Sequence, residues 1–462
     1  MTGLAHLVRK CLPRIGPTAV ACVMASVAWA APTEPQASIV ARWIVPAVPQ
    51  PAGGQTVPLG GISDLFPAGA DSAALRGVGG VGGPSGSFAV WAVTDRGPNG
   101  VVKVNGRKRR TLPAPAFSPC IVELACDLPQ HEDSDRVPGA ARVGRVLPLR
   151  GRSRVPLSGL PNGVAPDEPI YDAAGREPLA SDPNGVDTEG VVALADGSFW
   201  LCEEYRPSLL AVDAAGAVRS RFVPAGVAVP GADMEVLDCL PPAYARRRDN
   251  RGFEALAVSA DGERLYALLQ SPLESPVGFE SRGNVRLLVF DTIGRRPLAE
   301  HVYRLGDSDS TASKPKGGSS EDGKLCAMAM RGDDTLVVLE QAGDAVCRLY
   351  EASLRRATDT LARAADAEPL EALADLDAVG IVPLEKRLLA DLAPLRDTFA
   401  ADVHGRDSSR DAPAVKLEGL VLVDDRHVLL VNDNDFAIDT AADADPAATC
   451  LWLVRLPRPL GP

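Results

Sequence analysis

Hydrophobic and polar positions along this chain fall into a recurring unit. An apolar run of about six residues meets a tight polar turn, a second apolar run comes next, and that run ends in an acid or an amide. Segments 187–204, 253–270, 324–340 and 417–433 carry the unit in full. A fifth is split, with Gly61-Ile62-Ser63-Asp64-Leu65 running out and residues 89–95 returning. Asp196-Gly197 and Asp261-Gly262 stand at turns, and Asp-Gly between two β-type runs predicts a hairpin.

The segments after the hairpins repeat too. Residues 209–213 lead through Gly216 to 218–223, and residues 287–291 lead through Gly294 to 302–305. Two inner strands joined to two outer strands make the four-stranded blade of a propeller. The expected fold is therefore all-β, a single β-propeller over residues 31–462 with loop and helical insertions. Six blades are expected, the sixth assembled from residues 142–155 with the N-terminal run 38–45, and five or seven are the alternatives. Long insertions fall at 98–180, 231–250, 271–284 and 306–323, the last a Ser-, Gly-, Asp- and Lys-rich loop expected to be mobile. Within 351–398, Leu354, Leu361, Leu370, Leu373 and Leu376 recur at helical spacing and predict one or two inserted helices.

The N-terminus changes the compartment. Arg9, Lys10 and Arg14 precede a short apolar stretch that ends in Ala28-Trp29-Ala30, the arrangement of a cleavable export signal over residues 1–30 with cleavage after Ala30. The expected location is periplasmic or secreted, with no membrane attachment after cleavage. Formal charge is −12, and losing three cations and no anions with the signal takes the mature chain to about −15. Such a chain has no electrostatic footprint for nucleic acid. The basic runs 107–110 and 246–248 read as solvated loop charge. Seven cysteines remain after the signal; Cys120 and Cys126 are close enough in sequence for a local disulfide to be considered, and Cys202, Cys326, Cys347 and Cys450 sit in apolar runs. Oligomeric state is not legible.

Candidate chemistry lies at the hairpin ends, because the first residue of one antiparallel strand faces the last of its partner. Glu189 is expected near Glu203 and Glu204, Glu254 near Gln270, Glu418 near Asn432 and Asp433, and Asp64 opposite Asp95. In the fourth unit Cys326 takes the place of the opening acid while Glu340 keeps the closing one. Gathered at one end of a ring, such carboxylates repel and resist desolvation unless a cation joins them. Ca²⁺ or another divalent ion suits this oxygen-rich set, with Glu189, Glu204, Glu254, Glu340, Glu418, Asn432 and Asp433 as candidate ligands. Asp95, Glu189, Glu204, Glu254 and Glu418 are the candidate catalytic acids, and Arg96, Arg206 and Arg251 the candidate receivers of an anionic substrate group. The same acids could instead order loops. G-x-S-x-G, HExxH and RHG are absent, and His301 and His427 sit in strand-like runs as structural residues.

Thr94-Asp95-Arg96-Gly97-Pro98-Asn99, Asp187-Thr188-Glu189-Gly190 with Glu203-Glu204-Tyr205-Arg206-Pro207, Gly252-Phe253-Glu254-Ala255-Leu256, and Lys416-Leu417-Glu418-Gly419 with Asn432-Asp433-Asn434 resemble the exported bacterial family called esterase-like activity of phytase. The resemblance runs from about residue 57 to the C-terminus, and departs from the family's pattern at Cys326 and Gln341. It implies a phytase-like propeller and a hydrolase of phosphoric or carboxylic esters. The leading expectation is metal-dependent hydrolysis of a small anionic phosphomonoester. A lactonase-type propeller and a non-catalytic periplasmic binding or scaffold propeller are the alternatives.

Overall fold

A computed structural model describes residues 36–68, 87–128, 137–163, 169–276, 280–306, 323–343, 346–363, 369–405, 415–437 and 446–461. The segment expected to be an export signal and most of the 306–323 loop lie outside the described residues.

Five sheets of four or five strands, antiparallel except for a parallel fifth strand in two of them, form a five-bladed propeller. The first blade runs from Ile62–Pro67 through Ser87–Thr94 and Cys120–Asp127 to Arg142–Pro148. The second comprises Thr188–Ala193, Phe199–Glu203, Ser208–Val212 and Val218–Pro224, with Glu235–Leu240 added in parallel outside. Phe253–Val258, Arg264–Leu269, Asn284–Asp291 and Arg296–Arg304 make the third. The fourth holds Gly323–Arg331, Thr335–Ala342, Val346–Ser353 and Glu385–Asp391. The last takes Lys416–Leu422, His427–Asp433 and Cys450–Arg455 from the C-terminal part of the chain and Ser38–Ile44 from the N-terminal part. That shared blade closes the ring, so no blade has to end the sheet series as an open edge.

Five is one of the counts the repeats left open. Material assigned to a sixth blade is used elsewhere: Arg142–Pro148 is the outer strand of the first blade, and Ser38–Ile44 belongs to the closing one. In the 351–398 span, the leucine spacing reflects packing rather than long helices. Leu370, Leu373 and Leu376 cluster with Val302 and Ile381, three single 3₁₀ turns and the strand Glu385–Asp391 lie among the described residues of the segment, and the α-helix Arg396–His404 begins near its end.

The core lies between neighbouring blades. Trp200, Phe222 and Phe290 meet at ring distances of 5.0–5.7 Å between the second and third blades. Trp91 packs edge-on against Phe199 between the first and second, and Trp452 is fully enclosed in the closing blade's cluster against Phe399. Each such side chain contributes about 1.5–3 kcal/mol on burial, which locks the radial arrangement. Cys120 and Cys126 are both buried free thiols on one strand. Six residues of extended chain hold them roughly 20 Å apart, far beyond disulfide reach.

One irregularity recurs in all five innermost strands. The pairing with the second strand slips by one residue between Ile62 and Asp64, Thr188 and Gly190, Phe253 and Ala255, Leu325 and Ala327, and Leu417 and Gly419. Ser63, Glu189, Glu254, Cys326 and Glu418 are therefore the bulged residues. A β-bulge re-aims a side chain at the end of a strand. The glycine after two of these glutamates has its own reason: a Cβ on Gly190 would stand 3.0 Å from Leu256 N, and one on Gly419 would stand 3.0 Å from Leu65 N. Glu-Gly thus combines a turned-out acid with close contact between adjacent inner strands.

Candidate active site at the channel mouth

The bulges gather their side chains at one end of the central channel, around a cavity of about 570 Å³. Glu189, Glu254 and Glu418 line it, joined by Asp95, Glu204, Gln270 and Asp433 from the ends of the second strands. Loops and the hairpin Gly100–Val104/Arg107–Thr111 add Arg110, Asp249, Asn250, Arg251 and Asp435.

Register explains which acids arrive. The residues paired with the position just before each bulge are Thr94, Glu203, Leu269, Glu340 and Asn432. Their polar side chains turn into their own blades. Glu203 accepts from Ser208 Oγ at 2.7 Å, Asn162 Nδ2 at 3.1 Å and Tyr205 N at 3.0 Å. Glu340 accepts from Tyr303 Oη at 2.5 Å and Gly306 N at 3.1 Å and pairs with Lys386. Asn432 accepts from Cys450 N and donates to Ala448 O. Neither Glu340 nor Asn432 lines the cavity, so their donor atoms are spent on the scaffold. It is the next residue, Asp95, Glu204, Gln270 or Asp433, that faces the mouth.

Asp64 is likewise displaced. It pairs with Val93 rather than with Asp95, because Ser63 is the bulged residue. Its Oδ2 accepts from Val191 N at 3.0 Å, and burial drives its carboxyl well above the ordinary range. Arg206 lines a neighbouring cavity instead of the mouth, while Arg251 lines the mouth and reaches Gly323 O at 3.4 Å. His301 and His427 bond Thr358 O and Asp424, away from the cavity.

Two residues before each bulge stand Gly61, Asp187, Gly252, Lys324 and Lys416. Lys324 and Lys416 line the mouth and Asp187 is fully buried beside it, although sequence reasoning gave none of the three a role there. Their common offset from the bulged residue is the signal that could have found them. Lys324 Nζ donates to Glu418 Oε1 at 3.2 Å, and Lys416 pairs with Asp433 at 3.3 Å and with Asp435. Arg110, from a run read as solvated charge, also reaches the cavity and donates to Asn99 Oδ1 at 2.8 Å.

Arg96 ties one side together. Its Nη2 lies 2.7 Å from Asp187 Oδ2 and 3.3 Å from Glu204 Oε2, it bonds Asn250 Oδ1, and its guanidinium stands 5.1 Å from the Tyr205 ring centre. Eight carboxylates line the mouth against five cations, so the set is not neutralised from within. Burial, then repulsion from Asp433 and Asp187, pushes Asp95 well up. Burial and the surrounding acids do the same to Glu189 and Glu254. Glu204 rises to about 7 and Asp433 to about 8, each mainly through burial.

Two groups of three acids bring oxygens within 4.8 Å of one another and could hold a metal ion: Asp187 with Glu189 and Glu204, and Asp95 with Asp433 and Asp435. Each already has a cation against two of its members, Arg96 on Asp187 and Glu204 in the first and Lys416 on Asp433 and Asp435 in the second. Beside the first, Glu254 Oε2 has no hydrogen-bond partner, and Asp187 Oδ2 contacts Arg96 outside hydrogen-bond geometry.

The molecule is thus a five-bladed propeller with an acid-rich mouth at one end of its channel. A family model described as Phytase-like, esterase-like activity of phytase, matches residues 77–436, and the chain belongs to that family. A relative named only as an uncharacterized secreted protein, from Arthroderma benhamiae, is 27% identical over 243 residues, covering 46% of this chain and 46% of that protein. The chain therefore matches about half the length of that relative. Among solved structures, a putative glucose dehydrogenase from Thermus thermophilus aligns over 91% of this chain and 99% of its own at 11% identity and a TM-score of 0.30. The PQQ-bound aldose sugar dehydrogenase from Streptomyces coelicolor aligns over 92% and 100%, also at 11% identity and 0.30. Likeness at that level carries nothing about chemistry. No helix among the described residues is long and apolar enough to cross a membrane.

Proposed function

We propose that the protein is an exported, metal-dependent ester hydrolase acting on small phosphomonoesters at the channel mouth. One observation carries the reading: the Asp187, Glu189 and Glu204 oxygens converge beside the unpartnered Glu254 Oε2. A buried carboxylate oxygen without a donor is costly, and hard divalent cations such as Ca²⁺ take this kind of oxygen set. Asp187, Glu189, Glu204 and Glu254 would hold the ion, which when bound polarises the ester and lowers the pKa of an attacking water. Family membership and a relative named as secreted support the esterase and export parts.

The chain's own residues divide the remaining work. Arg96 is committed to Asp187, Glu204 and Asn250, so it positions the acids. Lys324, Lys416 and Arg251 carry the positive charge that faces the cavity and would orient an anionic phosphoryl group. Asp433, kept protonated into neutral pH mainly by burial, can hand a proton to the leaving alkoxide.

The test is metal analysis of gently purified mature protein, then a panel of phosphate esters, carboxylic esters and lactones with Ca²⁺, Mg²⁺ or Mn²⁺. Bound metal and phosphate release are expected. Turnover of lactones alone would reassign the reaction, and neither metal nor turnover would leave a binding propeller.

A further inference from the structure

A second cavity, of about 200 Å³, adjoins the mouth, and Asp249 and Asn250 line both. Asn250 is held between them in a left-handed conformation (φ 53°), with its Oδ1 bonded to Arg96. Pro161, Ile170, Pro207, Pro224 and Val227, with Tyr205 alongside, form the apolar half of the side cavity's walls.

Its polar atoms specify the ligand. Asn162 is 3% exposed, and its Nδ2 donates to Gly185 O and Glu203 Oε1, each at 3.1 Å. Both partners are acceptors, so the orientation of the amide is settled. Asn162 Oδ1 is then left buried without a partner, an acceptor awaiting a donor. The neighbouring Arg247 is spent on the wall, bonding Tyr205 O and Arg248 O and pairing with Asp249. Arg206 donates to Ala228 O at 3.4 Å. An anion is therefore not what the pocket is built for. In size it exceeds the roughly 150 Å³ that suffices for one benzene ring.

We propose that this side cavity seats the non-reacting half of the substrate, a single neutral ring bearing at least one hydroxyl or N–H donor that bonds Asn162 Oδ1. The proposal rests on the ester-hydrolase reading for the identity of the reacting half. The shared Asp249–Asn250 wall would let one ligand reach from this pocket to the carboxylates of the mouth.

Val227→Trp plugs the pocket from a partly exposed loop. Two measurements apply to the full mature protein. Ligand-observed NMR with phenol and cyclohexane-1,2-diol reads binding of the ring alone, and matched 4-hydroxyphenyl and methyl phosphates read its use in turnover. Expected results are binding of at least one ring probe to the wild type and its loss in the variant. The kcat/KM preference for the hydroxyphenyl ester should also fall about tenfold, through KM. Absence of probe binding to the wild type, or binding and preference untouched by the plug, would overturn the proposal. If no ester is turned over, the binding arm still decides on the pocket, so failure of the hydrolase reading is told apart from failure of the subsite. Val227→Phe replaces the larger plug if circular dichroism shows that the tryptophan variant has not folded.

Discussion

Glu203 and Glu204 are adjacent in sequence and serve opposite sides of the same strand end. Glu203 is fully buried among Ser208, Asn162 and the Tyr205 amide, whereas Glu204 faces the channel mouth and meets Arg96. One belongs to the scaffold and the other to the site.

Substitution should separate them. Glu203→Ala removes the acceptor for four donors and the charge beside buried Arg221, and is expected to cost about 3 kcal/mol in urea unfolding. Glu204→Gln keeps shape and should change stability by under about 1 kcal/mol while lowering metal affinity and turnover at least about tenfold. Equal stability losses in the two variants would contradict this division.

Chelation should destabilise the molecule. An ion present at about 100 times its Kd contributes about 2.7 kcal/mol to the folded state. EDTA is expected to lower the melting temperature, and Ca²⁺ to restore it. Glu189→Gln should lose most of that response, as read by calorimetry with and without EDTA.

Asp64 should make stability depend on pH. Its folded carboxyl titrates well above the ordinary aspartate value of 3.8, chiefly through burial. Above that ordinary value and below the raised one, the folded state holds a proton that the unfolded chain has released. Stability therefore falls as pH rises, by at most about 1.4 kcal/mol per pH unit. Asp64→Asn cannot ionise and keeps an acceptor for Val191 N. Its stability relative to the wild type should grow in urea titrations as pH rises above the ordinary aspartate value, at no more than that slope.

Cys326 occupies the fourth bulge but is enclosed, its thiol near Lys324 O and Gln341 Oε1 and pushed well up by burial. A buried, protonated thiol is a poor nucleophile. Cys326→Ser should keep ester turnover within about threefold, and loss of activity in that variant would point to thiol chemistry.

Close packing of inner strands is testable at Gly190. A methyl there would stand 2.7 Å from Cys202 Sγ and 3.0 Å from Leu256 N. Gly190→Ala should cost about 1–3 kcal/mol by overpacking, measured by denaturant unfolding.

Much of the molecule was legible from period and punctuation. Alternating apolar runs with Asp-Gly turns identified the hairpins at residues 188–203 and 253–269, because strand periodicity and turn chemistry are local properties. Glu189, Glu254 and Glu418 were found for the same reason, as they repeat at one place in the unit. Blade number was not local. The chain's two ends share one sheet, and Arg142–Pro148 could be assigned to the first blade only through its pairing with Cys120–Asp127. Nor could sequence say which of two neighbouring end residues enters the mouth. One bulge per inner strand shifts the register by a residue, which sends Glu340 and Asn432 into the scaffold and brings Asp95, Glu204 and Asp433 to the cavity. The repeats determined that acids would gather at strand ends. Tertiary packing decided which of them do so, and that Lys324, Lys416, Arg96 and Asp187 would stand among them, because those neighbours come from different blades brought together only when the ring closes.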